Sequence, residues 1–166
     1  MQLLRYRVPD FEHLSLQQKK LVYYLTEAAL HGRDILFDQN GKYNLQIRKL
    51  LEAVYLHFNG DRTCDDFKAL EVYLKRVWFS SGIHHHYACD KFEPGFSQEF
   101  LWKCMQELND ADLEFAKDET REDLRRKLFP VIFDASVMPK RVNQADGADL
   151  VVTSAANYYE GVTPVS

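Results

Sequence analysis

The 166-residue chain lacks the sequence features of several large functional classes. Its 3 cysteines form no CxxC pair, which argues against a structural zinc knuckle and favours free thiols. It has neither a GxGxxG motif nor a P-loop, and therefore no phosphate cradle. No apolar run reaches the ~18 residues that span a bilayer. Basic residues occur only in short runs, which argues against a nucleic-acid surface.

The same absences bear on location and partners. The first residues lack the charged-then-apolar pattern of a signal peptide, and free cysteines favour a reducing compartment. We therefore expect a cytoplasmic protein, with a periplasmic location left open if a signal peptide has been removed. Neither a membrane nor a nucleic acid is expected as a partner.

Helical patterns fill the first two thirds of the chain. Ser15 is a candidate N-cap for a helix that begins at Leu16, and the pattern fades before the stop signal Asn40-Gly41. A second helix is predicted from about 43 to 58, because its apolar residues recur at helical spacing. Short connections between such helices make them antiparallel neighbours, which predicts a helical bundle.

Further helix ends are predicted from capping residues. Thr63 is expected to cap a third helix, with Asp66 in the position of a capping box, and Gly82 fits the end of that helix. Ser97 and Thr120 are the expected N-caps of two later helices.

The last part of the chain lacks the helical pattern of the preceding part. Pro130 is expected to break or kink the last helix, and "LVVTS" (150–154) suggests one short strand or extended stretch. We predict a mainly α fold, a helical bundle with a short β/loop-rich C-terminal tail. The helical region covers 1–134 and includes a His-rich loop at 82–96, and the tail covers 135–166.

The His-rich loop contains the most suggestive residues, His84, His85 and His86. In an extended segment His84 and His86 face one side and His85 the other. One hypothesis is a metal site that uses His84 and His86 with a distant His13 or His57. A second is a polar loop of solvated imidazoles. A third is a recognition surface, since aromatic and imidazole groups on a loop held by helices commonly form binding walls.

Three stretches resemble the N-terminal region of the bacterial dipeptidyl peptidase III family, and the resemblance extends over nearly the whole chain. They are "YYLTEAALHGRDILFDQNGKYNLQIRKLLEAVY", "LKRVWFSSGIHHHYACDKFEPGFSQEFL" and "LFPVIFDASVMPKRVNQADGADLVVTSAANYYEGV". The family consists of zinc exopeptidases that remove dipeptides from the N-termini of peptides.

The resemblance implies a two-lobed peptidase whose zinc lies in the other lobe. The family's zinc motif, HExxGH, and the downstream Glu that completes the zinc site are both missing here. The resemblance therefore implies an N-terminal, non-zinc-lobe portion that supplies a wall of the substrate cleft. We expect this chain to bind no zinc and to be inactive alone. Its partners would be the peptide substrate and the zinc lobe of the same polypeptide.

The resemblance also implies which residues contact the substrate. Tyr87 lies where relatives place an aromatic residue, and His86 and Asp90 are further substrate-binding candidates; no catalytic or metal-binding residue is expected. Two alternatives stay open on the residues alone. One is a stand-alone helical module that binds a peptide or protein, and the other is an independent metal-binding domain that uses the histidines.

Overall fold

The structure is a computed structural model that describes residues 5–159 and 161. It confirms the predicted mainly helical fold. The α-helices are α1 Leu16–His31, α2 Arg33–Asn40, α3 Asn44–His57, α4 Asp65–Ser80, α5 Gln98–Glu107 and α6 Arg121–Phe133. In this described part no β-strand forms, and β pairing is limited to the isolated bridges His84–Lys91 and Asp90–Lys140. None of the described helices is long and apolar enough to cross a bilayer.

The chain forms two compact units that meet in sequence between Asp34 and Ile35. The first unit contains α1. As predicted, Ser15 caps this helix, because its hydroxyl accepts from the backbone N–H of Gln18 while the Gln18 side chain accepts from the Ser15 N–H. This capping box satisfies two helix-end donors. Within its own unit, α1 buries none of its residues.

The second unit contains the hydrophobic core. There α3 packs against α4, and α5 packs against α6. The side chains that are almost fully buried include Ile47, Leu51, Leu70, Leu74, Leu101, Met105, Leu124, Leu128 and Ile132. Burying each such side chain contributes about 1.5–3 kcal/mol, so this core is the main source of stability for the surfaces built on it.

Two of the three later caps form as predicted. Ser97 caps α5 by accepting from the Phe100 N–H, and Thr120 caps α6 in a capping box with Asp123. The prediction for Thr63 is wrong, because its hydroxyl donates to the carboxylate of Asp61 and Cys64 occupies the N-cap position of α4. The nearby carboxylate of Asp61 competes successfully for the hydroxyl.

Two further expectations differ from the structure in detail. Residues 33–40 form α2, where we expected the helical pattern to fade. Pro130 lies inside α6, so the predicted break is wrong and the predicted kink stays a prediction. The burial of neighbouring Phe129, Val131 and Ile132 offsets the missing hydrogen bond of Pro130.

Residues 150–154 form no strand. The Asp149 carboxylate accepts from the N–H groups of Val151 and Val152, and the Thr153 hydroxyl donates to the Asp149 carbonyl. An aspartate whose carboxylate accepts from the backbone N–H groups two and three residues later closes a turn. These local polar contacts override the β propensity of the valines.

The end of α4 places the His-rich loop. Ser81, the residue after α4, takes a left-handed conformation with φ 51°, and the Gly82 N–H donates to the Val77 carbonyl. Gly82 itself has φ 152°, and a Cβ there would lie 2.4 Å from Nδ2 of the buried Asn44. The Oδ1 atom of Asn44 accepts from the Ile83 N–H at 3.3 Å. Asn44 thus fixes the start of the loop against α3.

We predict that Gly82→Ala lowers the free energy of unfolding by more than Gly147→Ala. Both glycines have positive φ, so each alanine costs roughly 1–3 kcal/mol of backbone strain. Only at Gly82 does the new Cβ also collide with Asn44, since nothing lies within 4 Å of the Cβ position at Gly147. Denaturant unfolding of both variants measures the difference, and equal losses would contradict this packing.

Candidate functional site

The His-rich loop is held at both ends by backbone hydrogen bonds. The Phe92 N–H donates to the Ile83 carbonyl at 2.8 Å, and the His85 N–H donates to the Asp90 carbonyl at 2.7 Å. These bonds close residues 83–92 into a short hairpin-like loop around the bridge between His84 and Lys91. The loop is therefore a defined surface on the helical core.

His84 is an internal anchor of this loop. It is 2% exposed, and its Nε2 donates to the Met138 carbonyl at 2.8 Å. Its Nδ1 is buried without a hydrogen-bond partner. Burial lowers the pKa of His84, and the nearby charges of Lys91 and Arg141 lower it further, against the opposing effect of the Met138 carbonyl. His84 is therefore neutral and structural.

His85 and His86 do not alternate as an extended strand requires, so that expectation is wrong. Their rings stack with centroids 4.6 Å apart. The cause is a tight turn after His84, in which Nδ1 of His85 accepts from the backbone N–H groups of Tyr87 and Ala88. His85 thereby supports the backbone of Tyr87.

An aromatic wall, which we define as Phe79, His85, His86 and Tyr87, is formed by the last turn of α4 and this turn of the loop. The His86 ring contacts Phe79 with a centroid distance of 4.9 Å and Tyr87 with one of 4.5 Å. Nδ1 of His86 also lies 3.4 Å from the Ser80 hydroxyl. Phe79 is 60% exposed and Tyr87 is 85% exposed. The wall presents apolar faces and polar edges to solvent, the chemistry that suits a peptide.

The three predicted site residues have different surroundings. Tyr87 and His86 belong to the aromatic wall, whereas Asp90 is exposed and forms an ion pair with Lys140. That pair lies at the bridge that joins the loop to the C-terminal tail. Asp90 is therefore already occupied in joining two segments.

Two basic residues that the sequence analysis did not single out hold the tail on the loop. Nζ of Lys91 donates to the carbonyls of Asp134 at 2.6 Å and Val137 at 2.8 Å, and burial lowers the pKa of Lys91. Nη2 of Arg141 donates to the His86 carbonyl at 2.9 Å. Such contacts to distant carbonyls leave no signal in a single sequence.

Phe79 was also missed, although the sequence carries a signal for it. The buried face of α4 includes Leu70, Leu74 and Val77. Phe79 lies off that face, and a large aromatic residue placed off the apolar stripe of a helix indicates a contact surface.

The histidines do not fit a metal ion. Nε2 of His84 is used by the Met138 carbonyl, and Nδ1 of His85 is used by two backbone N–H groups. Nε2 of His57 lies 3.5 Å from Asp112. Across residues 5–159 and 161, no three His, Cys, Asp or Glu side chains are grouped as metal ligands would be.

No protein-family model matches the chain, and a comparison with curated proteins finds none that is similar.

We predict that lowering the pH from 6.5 destabilises the folded chain through His84. The unfolded state takes up a proton near the usual pKa of 6.5, whereas the folded state resists protonation because its pKa is lower. The free energy of unfolding should be highest above pH 6.5 and should fall as pH drops toward the folded-state pKa. Denaturant unfolding at a series of pH values measures this slope.

His84→Gln is the matched control, because its amide can donate to Met138 but does not titrate. The lowered pKa values of Asp61, Asp123 and Asp134 change the free energy of unfolding only near and below pH 3.8, the usual pKa of aspartate. They therefore do not contribute to the slope between about pH 5 and 6.5. Equal slopes for wild type and His84→Gln between about pH 5 and 6.5 would refute the role of His84.

Proposed function

We propose that this chain is the N-terminal, non-zinc-lobe part of a zinc-dependent dipeptidyl peptidase that releases dipeptides from peptide N-termini. In this proposal the chain supplies a wall of the substrate cleft and performs no catalysis alone. The observation that carries the proposal is the exposed aromatic wall, which lies in a segment that resembles the dipeptidyl peptidase III family.

The wall has the properties that peptide binding requires. Tyr87 offers a largely exposed ring and a hydroxyl, and its backbone is held by the His85 ring. His86 is fixed between Phe79 and Tyr87, and its carbonyl is bound by Arg141. A surface that is ordered before binding pays less conformational entropy when the peptide arrives.

The proposal places zinc on residues outside this chain, in a second lobe of the same polypeptide. One ring nitrogen of His84 and one of His85 are used to hold the loop, and the described residues contain no group of three metal-ligand side chains. The chain's own contribution is to bind and orient the peptide. The proposed contact with the zinc lobe is supported by the apolar residues that α1 does not bury within its unit, which include Leu21, Val22, Leu25 and Leu30.

The most direct test of the family assignment is the reading frame that encodes the chain. If the proposal is right, the frame continues to an HExxGH motif and a later Glu. The whole protein then releases dipeptides from a chromogenic substrate, and a chelator abolishes the release. A frame without that motif would refute the peptidase and leave the stand-alone binding module.

We predict that Tyr87→Ala weakens peptide binding by the whole protein roughly tenfold to a hundredfold, and lowers kcat/KM while zinc content stays unchanged. Loss of an aromatic contact costs on the order of 1–3 kcal/mol. Tyr87→Phe should keep most of the affinity, since it retains the ring. Steady-state kinetics, a peptide titration and metal analysis measure these effects.

Tyr6→Ala is the matched control, because Tyr6 is also 85% exposed. His85→Ala is unsuitable as a neutral control, since the His85 ring supports the Tyr87 backbone. Unchanged kcat/KM in a folded Tyr87→Ala protein would contradict the substrate contact. Loss of zinc would instead make Tyr87 a support for the metal site.

A further inference from the structure

The chain contains two Asn-Gly pairs, Asn40-Gly41 and Asn59-Gly60, in opposite environments. In an Asn-Gly pair the backbone nitrogen of glycine can attack the side-chain carbonyl carbon of asparagine. Glycine permits this approach because it has no Cβ and little conformational restriction. The reaction needs a side-chain amide and a backbone N–H that are both free to move together.

Hydrogen bonds restrain both residues of the Asn40-Gly41 pair. Asn40 is the last residue of α2, and its Nδ2 donates to the Ser81 carbonyl at 3.0 Å. Its Oδ1 accepts from Nη1 of Arg141 at 3.3 Å. The attacking atom is also engaged, since the Gly41 N–H donates to the Asp38 carbonyl at 3.3 Å. Attack would require these bonds to break together.

Asn59-Gly60 has none of these restraints. Both residues are exposed and lie outside regular structure, between the end of α3 and the start of α4. Within the part of the chain that the structure describes, neither the Asn59 side chain nor the Gly60 N–H makes a hydrogen bond. The turn is anchored beside them instead, by Arg62, whose Nη2 donates to the carbonyls of Leu56 and Phe58.

We propose that Asn59 is a site of spontaneous deamidation in the folded protein, while Asn40 is preserved. The Gly60 nitrogen bonds to Cγ of Asn59, and this bond closes a succinimide ring. The side-chain nitrogen of Asn59 takes up the proton of the Gly60 nitrogen and leaves as ammonia. Water then opens either carbonyl of the ring, so the products are aspartate and isoaspartate. No oxidant, reductant or other co-reactant is needed.

The modification places a new carboxylate just after α3. A negative charge is unfavourable at a helix C-terminus, because the free carbonyls there already carry partial negative charge. The isoaspartate product also adds one methylene to the main chain beside Phe58, whose ring stacks on Phe67 with centroids 4.9 Å apart. Deamidation at Asn59 therefore acts on the turn that joins α3 to α4.

The test is to incubate the full folded chain at mildly alkaline pH and map its peptides by mass spectrometry over time. We expect the Asn59 peptide to gain the mass of an NH-to-O exchange at least about tenfold faster than the Asn40 peptide, because only Asn40 is protected by structure. A parallel incubation in denaturant should bring the two rates together.

One variant completes the experiment. Asn59→Gln should remove the fast mass gain and most labelling by an isoaspartate methyltransferase. Asp146-Gly147 can also rearrange to isoaspartate, but that rearrangement changes no mass and maps to a different peptide. Equal rates at Asn40 and Asn59 in the folded chain would overturn the proposal, as would an Asn59 that stays unmodified while Asn40 reacts.

Discussion

The contact between the His84 imidazole and the Met138 carbonyl is the interaction on which the surface of this protein depends. The His84 side chain is buried, and its bond to Met138 joins the loop after α4 to the segment after α6. Lys91 of the loop binds two further carbonyls of that segment. In the other direction, Arg141 from the C-terminal tail binds the His86 carbonyl of the loop. Because each partner lies far away in sequence, loss of this contact would loosen the tail and the aromatic wall together.

This arrangement separates the histidines by role. One imidazole is buried and serves as an anchor, a second supports the backbone of Tyr87, and a third forms part of the exposed wall. Three adjacent histidines thus supply a buried anchor, a support for the loop backbone and a ring of the aromatic wall. The peptide-binding proposal rests on this division, since a wall can select a ligand only if something else holds it in place.

The sequence was most informative where local chemistry decides the structure. The caps at Ser15, Ser97 and Thr120 were predicted because each depends on residues three positions apart. Local rules failed where a partner competed, as Asp61 does for Thr63, or where core burial outweighed a broken rule, as it does at Pro130. For the site, exposed Tyr87 was proposed from the sequence. The roles of His84, Lys91 and Arg141 depend on carbonyls from distant segments, and no spacing reveals those.

The central claim is that the His-rich segment is a held recognition wall with a buried anchor. The most direct measurement is aromatic carbon–proton NMR during titration with a short unmodified peptide. We predict that the ring signals of Phe79, His86 and Tyr87 shift together and saturate at one peptide concentration, while the His84 ring signals stay in place. Shifts confined to other aromatic residues, or a His84 ring that responds as strongly as Tyr87, would contradict the account.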